Sequence, residues 1–118
     1  MDILIVDDKE EICRVIEMVL KRDGHFTFGA RNGATAKDMI RSIVLDLVIC
    51  DIVMPDVDGL DLLRFSKEFR PNLPFALMSA DPPISEFEAR ALGAAALLLK
   101  PIDFRGLDEL VKRLCRSA

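Results

Sequence analysis

Short apolar runs alternate with longer amphipathic stretches along the whole chain. Short runs rich in β-branched, aliphatic or aromatic residues predict strands at residues 3–6, 26–29, 47–50, 75–78 and 96–99. After each run, apolar residues recur at helical spacing, which predicts five helices with one buried face each. The residues predicted on those faces are Ile12, Ile16, Val19, Leu20, Ala36, Met39, Ile40, Ile43, Leu62, Phe65, Phe69, Ile84, Phe87, Leu107, Leu110, Val111 and Leu114.

This alternation of strand and helix continues without a linker or low-complexity segment. It predicts an α/β fold in which a five-stranded, doubly wound parallel sheet is flanked by five helices. Gly24 is expected to cap the first helix, and Pro71 and Pro74 to stop the third. The 118 residues fit a single domain, 1–118. Such a sheet places its ligand site beyond the carboxyl ends of the strands.

Polar residues follow four of the predicted strands. The first strand is followed by Asp7 and Asp8, the third by Asp51, the fourth by Ser79 and the fifth by Lys100. Because the carboxyl ends of parallel strands share one edge of the sheet, we expect three carboxylates, a hydroxyl and an ammonium to converge.

Clustered carboxylates repel one another unless a cation accompanies them. Mg2+ prefers oxygen ligands and takes one or two carboxylates together with a phosphate oxygen. Lys100 adds a positive charge, Ser79 can donate a hydrogen bond, and a remaining carboxylate can act as the nucleophile. Phosphoryl transfer needs mainly positioning and charge neutralisation, so the set predicts that chemistry.

Each of these residues has an ordinary structural interpretation when taken alone. Asp7 and Asp8 could form a strand-to-helix turn with a capping carboxylate, and Lys100 could be a solvated lysine. Asp56 and Asp58 are interpreted as turn residues, and His25 as a surface or loop histidine. Only the combination at four strand ends favours a functional site.

Composition narrows the class of protein. The net charge of −4 and the scattered basic residues argue against binding of nucleic acid or anionic lipid. No apolar stretch approaches the roughly 18 residues of a membrane span, and no signal peptide is visible. Cys13, Cys50 and Cys115 lack metal-ligand spacing, which favours a reducing, cytoplasmic location.

Four segments resemble the receiver domain of two-component response regulators, and together they extend over essentially the whole chain. They are ILIVDDKEEI at residues 3–12, DLVICDIVMPDVDGLDLL at 46–63, FALMSA at 75–80 and LGAAALLLKP at 92–101. The resemblance implies a flavodoxin-like fold with strand order 2-1-3-4-5. It also implies a regulator that catalyses only its own phosphorylation and dephosphorylation.

The same resemblance assigns roles to individual residues. Asp51 would accept a phosphoryl group from a phosphohistidine of a sensor histidine kinase or phosphotransfer protein. Mg2+ would be held by Asp7, Asp8, Asp51 and the Val53 backbone carbonyl, directly or through water. Ser79 corresponds to the switch hydroxyl and Lys100 to the phosphate-contacting lysine. The Lys100–Pro101 peptide is expected to be cis. Phosphorylation would alter the face formed by the fourth helix, fifth strand and fifth helix, through which a homodimer could also form.

Two positions depart from the family pattern. Leu97 stands three residues before the lysine, where the family usually has tyrosine or phenylalanine. That aromatic ring normally moves inward with the switch hydroxyl, so its absence predicts a weaker readout. Pro82 and Pro83 follow the fourth strand and are expected to stiffen the loop that must move.

Three other functions compete with this one. A phosphatase of the haloacid dehalogenase kind would need two acids one residue apart, whereas Asp7 and Asp8 are adjacent. A flavin-binding module would need a phosphate loop rich in Ser, Thr and Gly, and this chain has neither Trp nor Tyr to stack on a flavin. A phosphorylation-independent pseudo-receiver that serves only as an interaction module is the main alternative, supported by Leu97.

Overall fold

The computed structural model describes residues 1–117, with side chains through Cys115. Strands and helices alternate along the entire described chain. The strands are β1 (Asp2–Val6), β2 (Phe26–Ala30), β3 (Leu47–Asp51), β4 (Phe75–Ser79) and β5 (Ala96–Leu99). The helices are α1 (Glu10–Arg22), α2 (Gly33–Ser42), α3 (Gly59–Phe69), α4 (Glu86–Ala91) and α5 (Phe104–Ser117). Each predicted strand lies within one residue of its observed bounds.

The five strands form one sheet in the order β2-β1-β3-β4-β5, and every neighbouring pair is parallel. The α/β class, the flavodoxin-like topology and the five flanking helices are therefore confirmed. All residues of β3 and β4 are buried. A parallel sheet has helices on both faces, which is why its central strands are apolar at successive positions rather than at alternate ones.

Two apolar layers cover the sheet. Leu4 and Val6 of β1 point into a layer formed with α2, α3 and α4. Ile3 and Ile5 alternate with them and point into a second layer formed with α1 and α5. Among residues 1–117, no helix combines the length and apolar character that crossing a bilayer requires.

The predicted helix ends are mostly confirmed. Gly24 follows the C-cap of α1 with a φ of +91°, the left-handed conformation that glycine adopts without strain. Helix α3 begins after Asp58, whose side chain accepts a hydrogen bond of 2.8 Å from the Leu60 N–H. It ends at Phe69, before the first of the two prolines expected to stop it. Ile43, expected on the buried face of α2, is instead its extended C-cap residue.

The prediction that Phe87 lies on the inner face of α4 is wrong. Ser85 caps this helix, accepting from the Glu88 N–H while the Glu88 carboxylate accepts from the Ser85 N–H. This capping box fixes the start of the helix at Glu86. Within the helix Ala89 packs against the core, whereas Phe87 is 82% exposed. Ile84 precedes the helix and packs at the edge of the core.

Replacement of a buried and of an exposed phenylalanine should have very different effects on the free energy of unfolding. Phe75→Ala should lower the free energy of unfolding by about 3–5 kcal/mol, because the ring is fully buried in β4 and leaves a cavity. Phe87→Ala is the matched control and should change it by less than about 0.5 kcal/mol. Urea unfolding measures both, and equal losses would contradict the assignment of Phe87 to the surface.

Candidate functional site

The candidate site lies where β1 and β3 end side by side. These neighbouring parallel strands are in register, with Val6 opposite Cys50. Asp7 follows directly after β1, and Asp51 is the last residue of β3. Both are buried, so the sheet brings two carboxylates together in a region with little access to water.

Lys100 links the two buried carboxylates. Its Nζ donates to Asp7 Oδ2 at 2.7 Å and to Asp51 Oδ2 at 3.1 Å, and its side chain is only 10% exposed. The lysine follows β5, and its backbone N–H donates to the Ser79 carbonyl at 2.9 Å. The Lys100–Pro101 peptide is cis, as expected. The predicted convergence of the strand-end lysine with Asp7 and Asp51 is thus present in the structure.

The remaining oxygen of each buried carboxylate accepts a backbone hydrogen bond. Asp7 Oδ1 accepts from the Lys9 N–H at 2.9 Å, and Asp51 Oδ1 accepts from the Val53 N–H at 3.3 Å. Buried charged groups persist only when they are paired and hydrogen-bonded. These bonds therefore hold both carboxylates in fixed orientations and tie the backbone at Val53 to Asp51.

Burial and ion pairing shift the pKa values of Asp51 and Lys100 in opposite directions. Burial raises the pKa of Asp51 above its usual value, although the hydrogen bond and charge of Lys100 partly offset that shift. Burial lowers the pKa of Lys100, but the ion pairs with Asp7 and Asp51 more than compensate and leave that pKa raised. The lysine is consequently held in its charged form.

Asp8 completes an all-oxygen cluster. One carboxylate oxygen from each of Asp7, Asp8 and Asp51 lies within 4.8 Å of the other two, and Asp8 is the more accessible of the three. With Lys100, these residues carry a formal charge of −2. A hard divalent cation would neutralise that charge, and carboxylate oxygens are the ligands that Mg2+ prefers. The residues present therefore fit this ion.

Two further predicted site residues lie at or just after the carboxyl ends of central strands. Ser79 is the last residue of β4, which places it at the same edge of the sheet, and it is 3% exposed. Val53 follows β3 in the loop before α3 and is 65% exposed. Leu97, at the position usually held by an aromatic ring, is half-buried and packs against the apolar layer under α2, α3 and α4.

Asp56 makes a contact that its interpretation as a turn residue did not anticipate. Its Oδ2 accepts a hydrogen bond of 2.9 Å from the Gly33 N–H at the start of α2. The two residues are 23 positions apart, and the sequence shows no pattern that joins them. His25 is a loop residue, as expected, and its Nδ1 lies 3.0 Å from the Met1 amine.

Two of the cysteines are part of the interior. Cys13 and Cys50 are buried and reduced, while Cys115 is exposed. Burial raises the pKa of Cys13 to about 11 and that of Cys50 well above its usual value. Since the thiolate is the reactive form, neither buried thiol is activated as a nucleophile or metal ligand. Their role is packing.

Comparison with known proteins agrees with this geometry. The response regulator receiver domain family matches residues 3–112. The transcriptional regulatory protein ZraR of Klebsiella oxytoca is 38% identical over 109 residues, which are 92% of this chain and 25% of that protein. The DNA-binding transcriptional regulator NtrC of Azospirillum brasilense is 37% identical over 116 residues, covering 98% of this chain and 24% of that one.

Solved structures show the same fold. The receiver domain of the Francisella response regulator 1452 superposes with a TM-score of 0.89 at 26% identity, covering 99% of this chain and 98% of that one. A two-component response regulator from Clostridium difficile gives a TM-score of 0.91 at 26% identity, covering 98% of this chain and 96% of that one.

The fold and the strand-end residues define a doubly wound α/β domain with an acidic cluster at the carboxyl edge of its sheet. The chain belongs to the response regulator receiver domain family. It spans about a quarter of the length of the curated relatives it matches. The receiver domain is thus the part of such regulators that this chain represents.

The raised pKa of Asp51 predicts a specific dependence of stability on pH. A carboxyl that holds its proton more tightly when folded loses stability as pH rises from about 3.8 through its folded pKa. Without Mg2+, the unfolding free energy of Asp51→Asn relative to wild type should therefore increase as pH rises across that window. Urea unfolding between about pH 3 and pH 7 measures this. Parallel pH profiles for the two proteins would show that Asp51 ionises without penalty.

Proposed function

We propose that this domain is a signalling switch in which Asp51 accepts a phosphoryl group from a phosphohistidine of a sensor histidine kinase or phosphotransfer protein. The observation that carries this proposal is the buried Asp51 carboxylate, 3.1 Å from the Lys100 ammonium and clustered with Asp7 and Asp8. A reactive carboxylate, a lysine and a cation site in one place are what phosphoryl transfer to aspartate requires.

In the proposed transfer, an Asp51 carboxylate oxygen attacks the phosphorus and forms a new P–O bond. The P–N bond to the donor imidazole breaks, and its electron pair returns to the ring nitrogen. The donor leaves as a neutral imidazole because its other ring nitrogen carries a proton at the start of the step. Lys100 already contacts the acceptor carboxylate and would neutralise a phosphoryl oxygen. The buried Ser79 at the end of β4 would donate a hydrogen bond to another.

The proposed metal ion is Mg2+. Asp7, Asp8 and Asp51 would hold it together with the Val53 backbone carbonyl, directly or through water. When bound, it supplies positive charge to the transferring phosphoryl group. The all-oxygen donor set supports this choice, because Mg2+ binds oxygen and keeps several of its own waters.

We place this domain, residues 1–118, in the cytoplasm, where its kinase or phosphotransfer partner would meet it. Its net charge of −4 supports a role in which the domain itself does not bind nucleic acid. Phosphorylation would act on the face made by α4, β5 and α5, which exposes Phe87, Leu99 and Phe104. Exposed apolar residues of this kind suit contact with an effector or a second copy of the domain.

Incubation with acetyl phosphate and Mg2+ should add one phosphate to the intact mass of the protein, and Asp51→Asn should abolish the gain. The amide can neither attack phosphorus nor carry an acyl phosphate. Asp61→Asn is the matched control, because Asp61 is an exposed aspartate on the adjacent helix α3. Intact-mass spectrometry gives the result.

Phosphate gained by Asp51→Asn at the wild-type rate would refute the assignment of the acceptor. No gain by the wild-type protein would favour the phosphorylation-independent interaction module instead. Repeated release of inorganic phosphate from a chromogenic phosphate ester would favour a phosphatase.

Leu97 is expected to weaken the response of the α4-β5-α5 face. An aromatic ring at this position can occupy two distinct places, which converts a small displacement into two surface states. The leucine side chain is half-buried against the core and offers less contrast between its rotamers. A modification shifts an equilibrium only by its differential interaction with the two states, so the transmitted free energy should be smaller.

We therefore expect Leu97→Tyr to enlarge the change produced by beryllofluoride, a mimic of the phosphoryl group. Hydrogen exchange should change near Asp51 and Ser79 in both proteins, but over residues 84–92 and 104–114 it should change more in the tyrosine variant. Equal or larger changes on those segments in wild type would mean that the signal reaches the surface without position 97.

A further inference from the structure

The loop that joins β3 to α3, residues 52–58, is closed tightly at its base. The Gly59 N–H donates to the Ile52 carbonyl at 2.7 Å. A Cβ added at Gly59 would collide with the backbone of Asp51 and Ile52, so only glycine permits this approach. The loop therefore leaves the sheet and returns to it at nearly the same point.

The middle of this loop is docked against the first turn of α2. Asp56 accepts the 2.9 Å hydrogen bond from the Gly33 N–H. The next residue, Val57, covers Gly33 so closely that an added Cβ there would lie 2.5 Å from the Val57 Cβ. A hydrogen bond and a steric fit thus fix the loop to a helix that is remote in sequence.

The Asp56–Gly33 hydrogen bond also caps the N-terminus of α2. The first N–H groups of a helix lack partners within it, and the helix dipole favours a negative charge there. Asn32 satisfies one of them, since its side chain accepts from the Thr35 N–H at 2.8 Å. Asp56 satisfies another, that of Gly33. Asn32 is the N-cap residue that directly precedes α2. Of these two side chains, only Asp56 connects the 52–58 loop to α2.

A short path connects Asp56 to the proposed metal ligand. Two residues lie between Asp56 and Val53: Met54, whose side chain is buried, and Pro55, whose ring restricts its backbone. The Val53 N–H in turn donates to Asp51 Oδ1 at 3.3 Å. A displacement of Asp56 should therefore reach the backbone at Val53.

We propose that Asp56 is a positioning residue for cation binding, which acts through Gly33 by holding the 52–58 loop so that the Val53 backbone stays beside the Asp51 carboxylate. This inference rests on the proposed function, since Val53 is one of the proposed Mg2+ ligands. Without the Asp56 contact, binding of Mg2+ has to order the loop, and that ordering weakens affinity.

The test compares Asp56→Ala with Asn32→Ala, because each removes one cap from α2 but only the first frees the loop. In metal-free protein, amide hydrogen exchange over residues 53–57 should accelerate in Asp56→Ala and not in Asn32→Ala. The dissociation constant for Mg2+, measured by calorimetry, should rise roughly tenfold in Asp56→Ala. It should stay within about twofold of wild type in Asn32→Ala.

Two further measurements separate positioning from general damage. Asp56→Asn keeps an oxygen acceptor for the Gly33 N–H and should restore wild-type affinity for Mg2+. At saturating Mg2+, Asp56→Ala should accept phosphate from acetyl phosphate at the wild-type rate, because the loop is then ordered by the ion. If Asp56→Ala fails to fold, Asp56→Ser, with a side chain too short for this contact, provides the same comparison.

Wild-type affinity for Mg2+ in Asp56→Ala, or an equal loss in Asn32→Ala, would overturn the positioning role and leave the proposed function intact. A rate that stays low at saturating Mg2+, or no rescue by Asp56→Asn, would overturn it as well. A wild-type protein that neither binds Mg2+ nor accepts phosphate would instead refute the proposed function, and this inference with it.

Discussion

The ion pairs of Lys100 with Asp7 and Asp51 are the interaction on which the site depends. Two carboxylates at the ends of adjacent parallel strands would repel each other in a buried position. The lysine offsets that repulsion, at 2.7 Å from one carboxylate and 3.1 Å from the other. Removing one member of such a buried group typically costs about 3–5 kcal/mol, because an unpaired charge remains. The sheet thus holds the buried Asp51 carboxylate at an energetic cost that Lys100 offsets.

The segments around the site differ in how firmly they are held to the rest of the fold. The 52–58 loop is closed at its base by the Ile52–Gly59 hydrogen bond and joined to α2 through Asp56. The α4 side is different: this helix has only six residues and exposes Phe87. Short helices with few buried contacts are the less stable parts of a fold, and conformational responses draw on such parts. We propose that this side carries the output.

The strand and helix order and part of the candidate site could be predicted from the sequence. Apolar runs, with helical periodicity between them, specify five βα units, because a parallel sheet buried on both faces requires continuous apolar strands. Since parallel strands end at one edge of the sheet, the positions of Asp7, Asp51 and Lys100 at the ends of three strands predict that they converge. The end of α1 could also be predicted from Gly24, because helices often end at a glycine in the left-handed backbone conformation.

How the elements face one another depends on the packing of the helices against the sheet. Phe87 appeared to belong to a buried helical face, but α4 packs with Ala89 against the core and leaves the Phe87 ring in solvent. The Asp56–Gly33 contact joins residues 23 positions apart and depends on how two βα units pack, which no local pattern encodes. Likewise, which carboxylate oxygens Lys100 contacts follows from the packing of β5 beside β4. Periodicity indicates which apolar residues could share one face of a helix. Which face is buried, and which distant polar groups meet, depends on how the helices pack on the sheet.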